Sequence, residues 1–114
     1  MPLLSLIIIT KNEEAHIAAC LESVRGLADE IILVDSRSTD KTLEIASKYK
    51  AKIFTRDFDS FTSQKAYALA QARGEWVLNL DADEELSPAL REEIKNTLKD
   101  AAHDAFLLPI SNFF

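Results

Sequence analysis

The sequence predicts an α/β fold, a Rossmann-like three-layer α/β/α domain built on a mostly parallel sheet. Three observations lead there. Short apolar runs alternate with amphipathic stretches along the chain, which is the pattern of strands joined by crossover helices. The runs Leu4 to Thr10 and Ile31 to Val34 are continuously apolar rather than alternating, as strands covered on both faces are. Polar clusters follow directly on three runs: Thr10-Lys11-Asn12-Glu13, Asp35-Ser36-Arg37-Ser38 and Asp81-Ala82-Asp83.

Each element has its own local reason. Leu4 to Thr10 is rich in Ile and reads as a central strand. Glu13 to Arg25 carries Ile17, Cys20, Leu21 and Val24 at helical spacing, and Gly26 ends that helix. Ile31 to Val34 is the second buried strand, and Ser38-Thr39-Asp40 offers N-cap chemistry to a helix through Leu43, Ala46 and Tyr49. Lys52 to Thr55 is a short third strand. A third helix is expected from Ser60 to Arg73, with Leu69 and Ala72 facing inward and Gly74 taking the left-handed position after the last turn. The run Glu75 to Leu80 is the fourth strand, and it delivers Asp81 and Asp83. Ser87-Pro88 caps a helix whose Leu90, Ile94 and Leu98 share one side, and Ala105 to Ile110 is the fifth strand.

Bulk properties narrow the functions. A chain of 114 residues with 47% hydrophobic content supports one domain, 1–114, with a buried core. The formal net charge of -6 comes without a basic stripe, which speaks against a nucleic-acid partner. The single cysteine, Cys20, belongs to the apolar stripe of its helix and reads as core. The apolar start is too short for a signal peptide, and no run reaches the roughly 18 residues of a membrane span. The expected location is the cytoplasm; peripheral contact with the inner face of a membrane and homo-oligomer formation are both compatible with this composition.

The chemistry lies at the strand ends. In an open parallel sheet, ligands bind at the carboxyl ends of the strands, where strand order reverses. Three polar clusters would share that rim. Alternate residues of an extended chain point the same way, so Asp81 and Asp83 can converge while Ala82 turns aside. An acidic pair beside Glu84 and Glu85 would, in isolation, be a solvated turn. At the end of a buried strand, beside two further clusters, it reads as a site for Mg²⁺ or Mn²⁺, ions that share their shell with substrate phosphates. Glu13 and Glu14 also suit the positive end of their helix. Trp76 reads as packing, Phe54, Phe58 and Phe61 as core or a lid hinge, and Phe113-Phe114 as surface meant for further protein. His16 and His103 lack partner spacing for a metal or a nucleophile relay.

With the stretches Ser5 to Glu14, Glu30 to Asp40 and Ala72 to Asp83 read together, the chain resembles the inverting glycosyltransferases of family 2, whose nucleotide-sugar-binding half has the GT-A fold. Lys11-Asn12-Glu13-Glu14 and Val34-Asp35-Ser36-Arg37-Ser38-Thr39-Asp40 look most like the branch that includes lipopolysaccharide core glucosyltransferases. The resemblance implies transfer of a sugar, glucose first among them, from a nucleotide-diphospho-sugar, UDP-linked in the first instance, to a glycan, lipopolysaccharide-core or lipid-linked acceptor. It implies that Thr10, Asn12 and Glu13, in the loop after the first strand, and Asp35 hold the nucleoside. Lys65 would face the diphosphate, Asp81 the ribose or the metal, and Asp83 the metal bridging both phosphates. Ser36 departs from the second acid that many relatives carry there for the base. The carboxylate that activates the acceptor comes from the second half of such enzymes, so no catalytic base is assigned here and it is expected beyond Phe114.

Other readings keep the fold. A sugar-phosphate nucleotidyltransferase would want a glycine-rich phosphate loop after the first strand, and the chain has only Gly26 and Gly74. An aspartyl phosphatase would carry its nucleophile where Thr10-Lys11-Asn12 stands. A non-catalytic nucleotide-binding module is the third alternative.

Overall fold

A computed structural model describes residues 4–100 and 106–109. Along the chain the elements are β1 (Leu4–Thr10), α1 (Ile17–Ser23), β2 (Glu30–Asp35), α2 (Thr42–Ser47), β3 (Lys52–Thr55), α3 (Phe61–Gln71), β4 (Trp76–Asn79), α4 (Pro88–Asp100) and β5 (Phe106–Pro109). The five strands form one sheet in the order β3-β2-β1-β4-β5. Every neighbouring pair is parallel, so the sheet is more uniform than the mixed one the sequence allowed. His103 and Phe113-Phe114 lie outside the described residues.

Strand β1 is central and buried along its length except for Ile9. Its two faces feed two cores. Leu4, Leu6 and Ile8 pack with Ile17, Cys20 and Leu21 of α1 and with Leu90 and Ile94 of α4. On the other face Ile7 packs with Ile32, Val34, Val77 and Ala68, the last from α3. Helices on both faces complete the α/β/α layering. At ~25 cal/mol per Å² of buried apolar area, this double-sided burial is the main stabilising term, and it requires the continuous apolar runs seen in the sequence.

Three local expectations are corrected. Helix α1 begins at Ile17 rather than Glu13, because the N–H groups of Glu13 and Glu14 donate to Thr42 Oγ1 and Asp40 Oδ2 across a loop. Helix α3 turns Gln64 and Ala68 inward and leaves Leu69 exposed. A glutamine tolerates that buried face because its amide is satisfied: Nε2 donates to Ser36 Oγ at 2.9 Å, and Oε1 accepts from Arg56 at 2.6 Å. Finally, the glycine with positive φ is Gly26, not Gly74. Gly74 is needed for space. A Cβ there would stand 2.6 Å from Ser5 Oγ and 2.8 Å from Ser5 N.

The amino end of the sheet is tied by one buried carboxylate. Glu30 accepts from Ser5 Oγ at 2.6 Å, Lys52 Nζ at 2.7 Å and Arg73 N at 2.8 Å. Burial favours the neutral acid, but the bonds from Lys52, Ser5 and the Arg73 N–H together outweigh it and hold the Glu30 carboxyl below its usual range. A depressed folded pKa stabilises the protein above the unfolded value of about 4.3, and that stability is lost as pH falls through the folded pKa. Glu30→Gln is expected to cost about 1–3 kcal/mol at pH 7. Urea unfolding of both proteins at pH 7 and pH 3 checks this: the gap should be wide at pH 7 and narrow at pH 3.

Candidate functional site

Strand order places the site. From β1 the chain moves outward through β2 and β3, then returns to pair β4 on the other side of β1. The carboxyl ends of β1 and β4 therefore flank the point where strand order reverses, the place at which such sheets bind ligands. The register raises the acidic segment to that rim. Asn79 pairs with Ile7 and Thr10 pairs with Asp35, so the residues after β4 run alongside the last turn of β1.

Asp81, Ala82 and Asp83 do present two acids on one side, though not by continuing the strand. Regular pairing stops at Asn79, Leu80 N still donates to Ile7 O at 3.3 Å, and the chain then turns, with Glu84 N donating to Asp81 O at 2.9 Å. Ala82 is buried at 3% exposure while both aspartates are exposed. The alternation survives as an anchor between two solvent-facing acids. Asp81 N also donates to Glu84 Oε1 at 2.9 Å, which shapes the turn.

A cleft of about 470 Å³ opens above them, lined by Ile9, Glu13, Phe61, Lys65, Asp81, Ala82 and Asp83. Four residues picked out in the sequence thus meet in one space: Glu13, Lys65, Asp81 and Asp83. They arrive from β1's loop, α3 and β4's loop. Cys20, whose Sγ contacts Asp81 O at 3.6 Å, has its thiol pushed up to about 12 by burial first and then by Glu84, Asp83, Asp81 and Glu85.

Those acids are hard oxygen donors, and among the described residues no group of three or more His, Cys, Asp or Glu side chains could hold a metal by itself. Two exposed carboxylates fit an ion of the Mg²⁺ or Mn²⁺ type, which takes one or two protein carboxylates and completes its shell with water and substrate phosphates. Lys65 adds a positive charge in the same cleft.

Thr10, Asn12 and Asp35 occupy a different place. Asp35 has no exposure; its carboxylate accepts from Thr10 Oγ1 at 2.6 Å and from Ser38 N at 2.7 Å. Asn12 N donates to Ser38 Oγ at 2.7 Å, and Asn12 Oδ1 accepts from Thr39 N at 2.7 Å. Lys11 Nζ donates to Arg37 O at 2.9 Å. These bonds clasp the loop after β1 to the loop after β2. Asn12 and Arg37 both adopt positive φ within it, 52° and 58°, conformations that need such support in residues other than glycine. Thr10, Asn12 and Asp35, three of the four residues expected on the nucleoside, thus frame the rim, with Asp35 engaged inside the protein.

A second cavity of about 530 Å³ adjoins the first and is lined by Ile9, Thr10, Lys11, Glu13, Ser36, Arg37, Asp57, Phe58 and Phe61. The two share Ile9, Glu13 and Phe61. From sequence the aromatic residues suggest core or a lid hinge; Phe54 is half-buried against Tyr67, whereas Phe58 and Phe61 are 51% and 68% exposed. Their role as cavity wall had no signal in the sequence beyond an aromatic residue beside a helix start.

Comparison with known proteins bears on family and fold. The family model described as Glycosyl transferase family 2 matches residues 5–113. An uncharacterised glycosyltransferase of Rickettsia typhi is 43% identical over 107 residues, spanning 94% of this chain and 37% of that protein. The lipopolysaccharide core biosynthesis glycosyltransferase LpsC of Rhizobium meliloti is 39% identical over 100 residues, spanning 83% of this chain and 37% of LpsC. Staphylococcus aureus TarS residues 1–349, solved with UDP-GlcNAc, superposes with a TM-score of 0.67 at 27% identity, covering 86% of this chain and 31% of that one. Glucosyl-3-phosphoglycerate synthase from Mycobacterium tuberculosis, solved with Mn²⁺, UDP and glucosyl-3-phosphoglycerate, superposes with a TM-score of 0.58 at 26% identity, covering 74% and 36%. The chain spans little more than a third of the length of the curated relatives named here.

Proposed function

The chain belongs to glycosyltransferase family 2, and on that premise we propose that it is the donor-binding part of an enzyme that transfers a sugar from a UDP-sugar to a glycan or lipid-linked acceptor. The observation that carries this reading is the convergence of Glu13, Lys65, Asp81 and Asp83 in one cleft where strand order reverses. The likeness to LpsC supports a lipopolysaccharide-core acceptor, and the likeness to glucosyl-3-phosphoglycerate synthase supports glucose, as the first pair to test.

Departure of a nucleoside diphosphate leaves negative charge on the leaving oxygen, and a bound Mg²⁺ or Mn²⁺ supplies stabilisation of that charge. Asp83 and Asp81 would hold the ion. Lys65 faces the diphosphate, and Glu13, which lines both adjoining cavities, lies toward the nucleoside. Thr10, Asn12 and Asp35 act through the clasp, keeping both rim loops in place under the nucleoside. Activation of the acceptor hydroxyl, which inversion requires of a carboxylate base, is assigned to none of the described residues.

Titration calorimetry with UDP tests the reading. Binding is expected in the presence of Mn²⁺ and lost with a chelator. Binding of UDP at equal strength with and without metal would overturn the metal assignment, and no binding in either condition would overturn donor binding. Turnover assays comparing this chain with a longer one decide whether donor binding and transfer reside in the same residues.

A further inference from the structure

We infer that a cavity of about 440 Å³ between the ends of α1 and α2 is a second ligand site, one that takes a soluble phosphate ester with an aromatic or aliphatic body. Its place separates it from the donor cleft. Ile31, on its wall, pairs with Leu6 near the start of β2, whereas Asp35 at the carboxyl end pairs with Thr10. Four steps along the strand, about 13 Å, lie between them.

The lining divides into a floor and a rim. Leu21 and Val24 are buried and Ile31 is half-buried, which makes the floor apolar. Arg25, Lys48 and Lys50 stand exposed around it, and none of the described lining residues is a carboxylate. This is a positive pocket on a chain of net charge -6. The neighbouring Glu22 accepts from Tyr49 Oη at 2.9 Å and lies 3.4 Å from Arg25 Nη1, which leaves Arg25 further N–H donors. Among the described residues neither Lys48 nor Lys50 has an ion pair. A cation after the last turn also suits the negative end of a helix, and that accounts for Lys48. It does not account for Lys50, which adopts φ 62°, a left-handed conformation that glycine takes without steric cost and lysine does not.

The lining selects the chemistry of its ligand. A phosphate ester offers three oxygen acceptors and nearly two negative charges to ammonium and guanidinium donors, while its organic body covers the floor. The shape favours a small molecule over a membrane surface. About 440 Å³ lies in the range of small-molecule sites, and the exposed Glu22 beside Tyr49 would repel an extended anionic surface.

Titration calorimetry on the full chain with phenyl phosphate and with inorganic phosphate, both without metal, tests the inference. Phenyl phosphate is expected to bind at least about tenfold more tightly, because the floor covers its ring. Lys50→Gly and Lys48→Gln are each expected to weaken it about tenfold. Lys50→Gly should also raise the thermal midpoint by a few °C, since glycine relieves the left-handed backbone, so its loss of binding would not come from unfolding. Metal-dependent UDP binding should be unchanged in both variants, which keeps this site distinct from the donor cleft. Equal affinity for the two phosphates overturns the inference, and so does undiminished phenyl phosphate binding in both lysine variants. Binding to phosphatidylglycerol vesicles without binding of phenyl phosphate also overturns it, and would make the basic rim a membrane contact instead.

Discussion

Gly74→Ala is expected to cost the fold about 3 kcal/mol or more, roughly 10 °C or more in thermal midpoint. The added Cβ would meet Ser5 Oγ at 2.6 Å, Ser5 N at 2.8 Å and Trp76 O at 3.0 Å. Two of those three atoms are backbone, and Ser5 lies in the central strand, paired to β2 and β4, so neither side can yield cheaply. The same substitution would dislodge the Gly74 N–H from Ser5 Oγ, a 2.8 Å bond, and with it the link from Ser5 to Glu30. Circular dichroism melts check this. Adding Ser5→Gly removes the hydroxyl but leaves the backbone nitrogen, so it should restore only part of the loss. Gly26→Ala provides the contrast. At φ 77° it meets only Arg91 at 3.5 Å, and the left-handed backbone should cost it about 1–2 kcal/mol.

The second large effect falls on binding and leaves folding alone. Asp83→Asn keeps the shape of the side chain and removes its charge; the expected loss of Mn²⁺-dependent UDP affinity is about a hundredfold or more, since even residues that only orient a metal's ligands cost 10–100-fold. Asp81→Asn should lose a comparable amount if both carboxylates hold the ion. Stability should move by less than about 0.5 kcal/mol, because both side chains are exposed and outside the core. The pairing of an intact thermal midpoint with lost metal-dependent binding is the signature of a ligand. A fall in both together would make the aspartates structural, and unchanged binding would remove them from the site.

Much of this site is visible in the chain itself, and the reason is local. Asp81 and Asp83 follow a buried run immediately, and no long-range contact is needed to put them at a strand end. Lys65 and Glu13 belong to segments whose positions follow once the strand order is known. Thr10, Asn12 and Asp35 stand at or just after strand ends, as their apolar runs imply, but whether such a side chain faces ligand or protein depends on the loop opposite. Here Ser38, Thr39 and Thr42 take up the polar groups after β1. Phe61 shows the converse. Its sequence context suggests core or a lid hinge, and the turn into α3 leaves it open between two cavities.

The sequence by itself determined the layered α/β architecture and the acidic rim, because continuous apolar runs, helical spacing and strand-end polarity are read within a few neighbouring residues. Only the tertiary structure decided that Gln64 and not Leu69 is buried, that Gly74 is required for closeness rather than for φ, and that Asp35 is bound within the protein while Glu13, Lys65, Asp81 and Asp83 share one cleft. Each of those outcomes rests on atoms brought together from distant segments. Burial and hydrogen-bond partners belong to the packed chain, and a residue's own neighbours in sequence cannot specify them.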